Sequence, residues 1–214
     1  MPALEKSTLI GTLIGVINGA ARKTPAWVIY ALGFALAGWM IFAALTGLSG
    51  PDPVKALERG LGEKGLQILI AALCITPLRW VGINLIKFRR AIGLMAFMFV
   101  VLHFTAWIVL DMALRWSEIV TDLTKRPYIL VGLAALIVLI PLAVTSNQKS
   151  IKRMGAAGWK RLHWLAYPAT LAGAVHFVMI GKVYTVESAL YVATVLALLA
   201  ARWIKNHQRV AKTT

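Results

Sequence analysis

Cysteine and acidic residues are scarce in this chain of 214 residues, and both shortages exclude chemistry. The single cysteine, Cys74, stands in an apolar run without a second thiol, so an intrachain disulfide, a C-x-x-C redox pair and a Cys-ligated cluster are all ruled out. Only 8 Asp and Glu oppose 23 Lys and Arg, and none of the acids lies at the depth of the buried histidine pair described below, which argues against a zinc site there. No P-loop occurs, and no G-x-G-x-x-G follows a strand, so no Rossmann unit for a dinucleotide is expected. What is abundant is hydrocarbon: 59% of residues are hydrophobic and the mean hydropathy is +0.75, beyond what a soluble surface tolerates. The composition is that of an integral membrane protein.

Apolar runs long enough to cross a bilayer as helices, which takes about 20 residues, fall at 27–48, 66–83, 91–111, 128–145, 161–181 and 187–204. The reading is an all-α bundle of six transmembrane helices. Pro77 interrupts the second run and predicts a kink there, with a neighbouring helix satisfying the freed carbonyl. The bundle is one domain, 27–204, between an N-terminal arm, 1–26, and a tail, 205–214. Sixteen of the 23 basic residues fall on one side of these runs, in the arm (Lys6, Arg22, Lys23), the second connection (Arg79, Lys87, Arg89, Arg90), the fourth (Lys149, Lys152, Arg153, Lys160, Arg161) and the tail (Arg202, Lys205, Arg209, Lys212). Glu5 is the only acid there, whereas Lys55, Arg59, Lys64, Arg115, Lys125, Arg126 and Lys182 on the other side are offset by seven acids. The positive-inside rule then places both termini in the cytoplasm and accounts for the whole +15 charge without nucleic acid. Residues 9–20 resemble a signal-peptide core, but the charge count favours a helix lying at the cytoplasmic interface. Trp27, Trp80, Trp116, Trp159, Trp164 and Trp203 read as interfacial anchors near span ends.

Three of the four histidines, His103, His163 and His176, lie in these apolar stretches, where an imidazole needs a partner that offsets its desolvation. A rise of about 1.5 Å per residue puts His103 roughly 18 Å and His176 roughly 22 Å below the basic face, and His163 only about 3 Å. Imidazoles at one depth on separate helices are placed to clamp a flat macrocycle. Ala169, Ala172 and Gly173, on the helix face of His176, leave room for one, although close helix packing favours the same residues. His163 and His176 stand roughly 140° apart around their helix and cannot share one metal.

Zinc needs about four ligands and finds no cysteine or acid at this depth. Haem needs only axial ligands, and two imidazoles leave its iron no open position, which favours electron transfer over chemistry on a bound molecule. The residues therefore read as a membrane cytochrome b, with a transporter that relays protons through histidines as the competing class. Without a dinucleotide domain, electrons arrive from quinol or a separate flavoprotein. At a shallow site, Arg79, Arg89, Arg90, Lys152 and Arg153 are candidate partners for haem propionates, or plain inside-positive anchors; Arg115 is the corresponding candidate on the far side.

Several stretches carry a resemblance: TPLRW at 76–80, RRAIG at 89–93, LHF at 102–104, KRPYI at 125–129, PLAVTS at 141–146, GWKRLHWLAY at 158–167 and VHF at 175–177. In this order the chain resembles the MsrQ (YedZ) family, haem-binding membrane subunits of bacterial periplasmic methionine sulfoxide reductase systems within the ferric reductase-like transmembrane group. The resemblance implies that His103, His163 and His176 are haem b ligands, in one or two haems, with Arg89 beside the cofactor. It also implies a non-catalytic electron-transfer subunit of the bacterial inner membrane. Electrons would pass from the quinone pool or a cytosolic flavin reductase to a molybdopterin-containing periplasmic subunit that reduces methionine sulfoxide. A flavin mononucleotide, FMN, is associated with members of the family, though no flavin motif stands out in these residues. The runner-up is a cytochrome b subunit for another periplasmic oxidoreductase.

Overall fold

The structure is a computed structural model that describes residues 2–181 and 185–211, with side chains described for 9–181, 185–208 and 211. The described residues are helical with no strands: α1 (Pro2–Lys23), α2 (Trp27–Leu45), α3 (Pro53–Trp80), α4 (Arg89–Thr105), α5 (Trp116–Lys125), α6 (Pro127–Val144), α7 (Gln148–His163), α8 (Ala166–Ile180) and α9 (Val186–Val210). A turn of tighter helix, Ile86–Phe88, leads into α4, which continues as a π-helical turn, Ala106–Asp111. Lys182 and Lys212, counted above, lie outside the described residues, as do the side chains of Glu5, Lys6 and Arg209.

Five of these helices are long and apolar enough to cross a membrane: Trp27–Leu45, Pro53–Trp80, Ile86–Asp111, Pro127–Val144 and Val186–Gln208. The expected span at 161–181 is the exception. Its helical part, α8, has 15 residues, about 22 Å of rise, because Pro168 in its first turn cannot donate to Trp164, and Trp164–Leu165 form a turn instead. The second expected span begins earlier than read. Asp52 accepts from the backbone N–H of Lys55, with Pro53 at the first helical position, so Lys55, Glu58, Arg59, Glu63 and Lys64 ride on α3 rather than in a loop. Pro77 does not break α3, which continues to Trp80. At the other end of the chain, helix α9 runs on through the first residues assigned to the tail. A kink does occur in α7, at Gly155, whose φ of 72° is one a side chain rarely adopts.

Packing is antiparallel between α3 and α4 and between α6 and α8; α2 covers α3 and α4, and α9 lies against α8 and α3. Leu61, Phe99 and Ala37 join α2 to the first pair, while Leu69, Ala96, Leu139 and Ala169 join the two pairs. Gly65 lets α3 approach α4 so closely that a Cβ there would lie 3.0 Å from Val100. Large apolar residues face outward around the bundle, among them Leu32, Phe34, Ile137 and Leu190, each more than half exposed. Hydrocarbon is the environment in which such a surface carries no penalty.

The two ends of the bundle differ. One gathers the starts of α3, α6 and α9 with the ends of α4 and α8. The other gathers the 82–87 turn, α7 and the far end of α9, where Lys205 lies 6.0 Å from the centre of the Trp80 ring. Asn18 fastens α1 to that second end, donating to the Gly82 carbonyl at 2.9 Å and accepting from the Asn84 N–H at 2.8 Å. Phe99→Ala, at a fully buried site, is expected to cost about 3–5 kcal/mol, whereas the exposed Phe34→Ala stays within about 0.5 kcal/mol. Thermal denaturation of the two variants in one detergent checks this.

Candidate functional site

His103 leaves α4 one turn before the π-helical segment, and His176 leaves α8 one turn before its end. Their rings meet edge to face, with centres 6.1 Å apart and planes at 69°. Each Nδ1 lies against a main-chain carbonyl of the antiparallel neighbour: His103 at 2.8 Å from Glu58 O, His176 at 2.6 Å from Tyr128 O. A carbonyl only accepts, so both rings carry their proton on Nδ1, and both Nε2 lone pairs remain for a ligand.

The two contacts are built alike. A carbonyl within a helix already accepts from the N–H four residues on, and the side chain of that residue would block a second donor. That residue is Gly62 after Glu58 and Gly132 after Tyr128. A Cβ at Gly62 would come within 2.9 Å of His103 Nδ1, and one at Gly132 within 2.8 Å of His176 Nδ1 and Cε1. Gly60, Gly62 and Gly65 also have the G-x-G-x-x-G spacing, but they lie inside α3, where they serve close packing and form no phosphate loop.

Both histidines line a cavity of about 1420 Å³ that runs from the charged end of the bundle down to Leu69, Leu139 and Ala169. Its walls are apolar at depth, and its mouth carries Lys55, Arg59 and Arg126 among Glu58, Glu63, Asp111 and Glu187. Lys55 pairs with Asp111 and lies 3.5 Å from Glu58, tying the start of α3 to the end of the π-helical turn. Arg126 lies 3.5 Å from Asp122, and Arg59 makes no ion pair among the described residues. Gln67 links α3 to α9, donating to Tyr191 Oη at 2.6 Å and to Glu63 at 2.7 Å.

Of the small residues expected to make room beside His176, Ala169 and Gly173 line the cavity and Ala172 does not. Arg115 is also outside the lining; it pairs with Glu118 at 2.9 Å. His163 stands apart, stacked on Trp159 with ring centres 3.8 Å apart, its Nε2 3.3 Å from Thr145 Oγ1. Trp159 is thus more than an interfacial anchor: its Nε1 donates to the Thr145 carbonyl at 2.9 Å. Arg79, Arg89, Arg90, Lys152 and Arg153 are all exposed and outside the cavity, and Arg89 is close enough to His163 to act on it electrostatically.

Residues 65–174 match the ferric reductase-like transmembrane component family. A protein of Brucella anthropi named protein-methionine-sulfoxide reductase heme-binding subunit MsrQ is 42% identical over 187 residues, 87% of this chain and 84% of that protein. One of the same name from Brucella ovis is 42% identical over 198 residues, 89% of this chain and 90% of its own length. This chain belongs to the MsrQ family. Like other MsrQ-type proteins it is a multi-pass protein of the bacterial inner membrane, in keeping with its five spanning-length apolar helices.

The group in the relatives' name can be tested against this geometry. A metal–imidazole bond is about 2 Å, so two imidazoles on opposite sides of one metal place their ring centres roughly 6 Å apart. The observed 6.1 Å fits, as do two free Nε2 atoms and a deep apolar cavity. Among the described residues no cluster of three or more His, Cys, Asp or Glu is placed to hold a metal ion. A group that brings its own equatorial ligands would suit this pair.

The glycines give the sharpest check. Gly132→Ala and Gly62→Ala should each at least halve the haem retained on purification, while Gly93→Ala, with nothing within 4 Å of its added Cβ, leaves it unchanged. Haem per chain by pyridine haemochrome decides.

Proposed function

We propose that this chain is the haem b-carrying electron-transfer subunit of a periplasmic methionine sulfoxide reductase system. The observation that carries this reading is the facing pair His103 and His176, each with Nδ1 bound to a main-chain carbonyl and Nε2 free. Haem held by two imidazoles supplies a one-electron carrier without an open coordination position. The chain's own residues do the rest. Glu58 and Tyr128 carbonyls fix the tautomer and tilt of the ligands, as the outer partners of a metal-bound histidine do. Leu66, Leu69, Val100, Leu136 and Leu139 exclude water around them. Arg59 and Arg126 at the mouth are the cations available to haem carboxylates.

Topology follows from the charge distribution. The bundle end holding the 82–87 turn, α7 and the end of α9 carries the strongly basic segments and faces the cytoplasm. Both termini lie on that side, α8 with its preceding turn makes the sixth crossing, and α1 lies along the interface. The His103–His176 pair then sits toward the periplasm, next to the acceptor. That acceptor is a molybdopterin-containing subunit reducing methionine sulfoxide, which takes up two electrons and two protons for each thioether and water formed. The donor is the quinone pool or a cytosolic flavin reductase, with FMN as a further cofactor.

His163, with Arg89 beside it, serves a second haem near the cytoplasmic side. The residues around it are arranged differently from the first pair. Thr145 Oγ1 donates to the Pro141 carbonyl at 2.6 Å and so accepts from His163 Nε2–H, and no second imidazole comes from α4. Ligation through Nε2 therefore begins with release of Thr145.

His103→Ala or His176→Ala should abolish the haem of the outer pair and reduce electron delivery to the sulfoxide reductase at least tenfold, whereas His163→Ala leaves one haem in place. A dithionite-reduced minus oxidised spectrum with haem quantitation is the test. Wild-type haem content in both outer-pair variants overturns the assignment.

A further inference from the structure

Arg202 is the unexplained charge in this fold. It belongs to a membrane-spanning helix, α9, yet is only 8% exposed. Its Nη1 donates to the Leu198 carbonyl at 3.1 Å and its Nη2 to the Leu73 carbonyl of α3, while its Nε is buried without a partner. The Leu73 carbonyl is available because Pro77, four residues on, has no N–H to give it.

Capping that carbonyl accounts for one N–H but not for the charge. A neutral amide would cap it at a far smaller desolvation cost than a guanidinium in a spanning helix. No described carboxylate pairs with Arg202. The Tyr167 ring lies 5.3 Å from its guanidinium carbon, a modest favourable contact. A guanidinium buried at the basic end of a membrane bundle with its Nε unpartnered and no carboxylate beside it calls for an anion from outside the chain.

We infer that Arg202 forms a site for an oxyanion carried by a bound amphiphile, either a haem carboxylate or a phospholipid phosphate. Only the carboxylate source rests on the proposed function. The phosphate source stands without it.

The test compares wild type with Arg202→Gln and Arg202→Lys, each also in a Pro77→Ala background. In that background the residue 77 N–H can bond the Leu73 carbonyl, so loss of the cap does not confound loss of the charge. Two quantities are read on protein purified with its native lipid: the midpoint potential of each haem and the anionic phospholipid retained per chain, by mass spectrometry. Arg202→Gln lowers one haem potential when the anion is a haem carboxylate, because a nearby cation favours the reduced iron; lysine keeps most of the effect. When the anion is phosphate, the potentials stay put and retained anionic phospholipid falls at least twofold. Unchanged potentials and unchanged lipid in Arg202→Gln overturn the inference and leave Arg202 as a carbonyl cap. A chain without haem refutes the proposed function, and the lipid count still decides this site.

Discussion

An imidazole N–H buried in a helical membrane bundle has almost nowhere to donate, and that constraint organises this structure. Every carbonyl in the middle of a helix is already engaged and is shielded by the side chain four residues on. Gly62 and Gly132 remove that shield at two places, and His103 and His176 fill the gaps. The antiparallel pairing of α3 with α4 and of α6 with α8, the close approach at Gly65, and the apolar cavity between the pairs all serve this double contact. The same difficulty in its other form, an unpaired carbonyl, is met at Leu73 by a side chain from α9. One helix lacks an acceptor and borrows a backbone; another lacks a donor and borrows a guanidinium.

Much of this was legible in the residues. Hydropathy marked five of the six expected spans, the charge asymmetry marked the two ends, and counting residues along helices put His103 and His176 at one level, where their rings meet. The carbonyl freed by Pro77 was expected to find a partner on another helix, and it does. Family membership was legible in seven short stretches, three of which hold the histidines, and the relatives bear it out.

What was not legible has physical causes. Main-chain acceptors carry no residue signature: nothing about a glutamate or a tyrosine announces that its carbonyl will hold a ligand, so Glu58 and Tyr128 passed unseen. A glycine four residues later is the only trace, and glycine has many other uses in membrane helices. The long start of α3 was missed because charges read as loop until their partners, Asp111 and Glu58, are in view. The shortened α8 was missed because hydropathy does not weigh Pro168. Arg202 was counted among the cytoplasmic charges of the tail because burial is a tertiary property.

The tautomer imposed on the two facing rings bears on proton traffic as well as on geometry. With Nδ1–H directed at a carbonyl, neither imidazole can become imidazolate without turning a lone pair toward an oxygen that has no hydrogen to share, and neither can take up a second proton while Nε2 is engaged. Were a redox centre held between them, the rings would keep one charge state as its oxidation level changed. On the proposed function, electrons would cross this part of the membrane unaccompanied, and the protons that sulfoxide reduction consumes would enter elsewhere, on the side of the membrane where the water is.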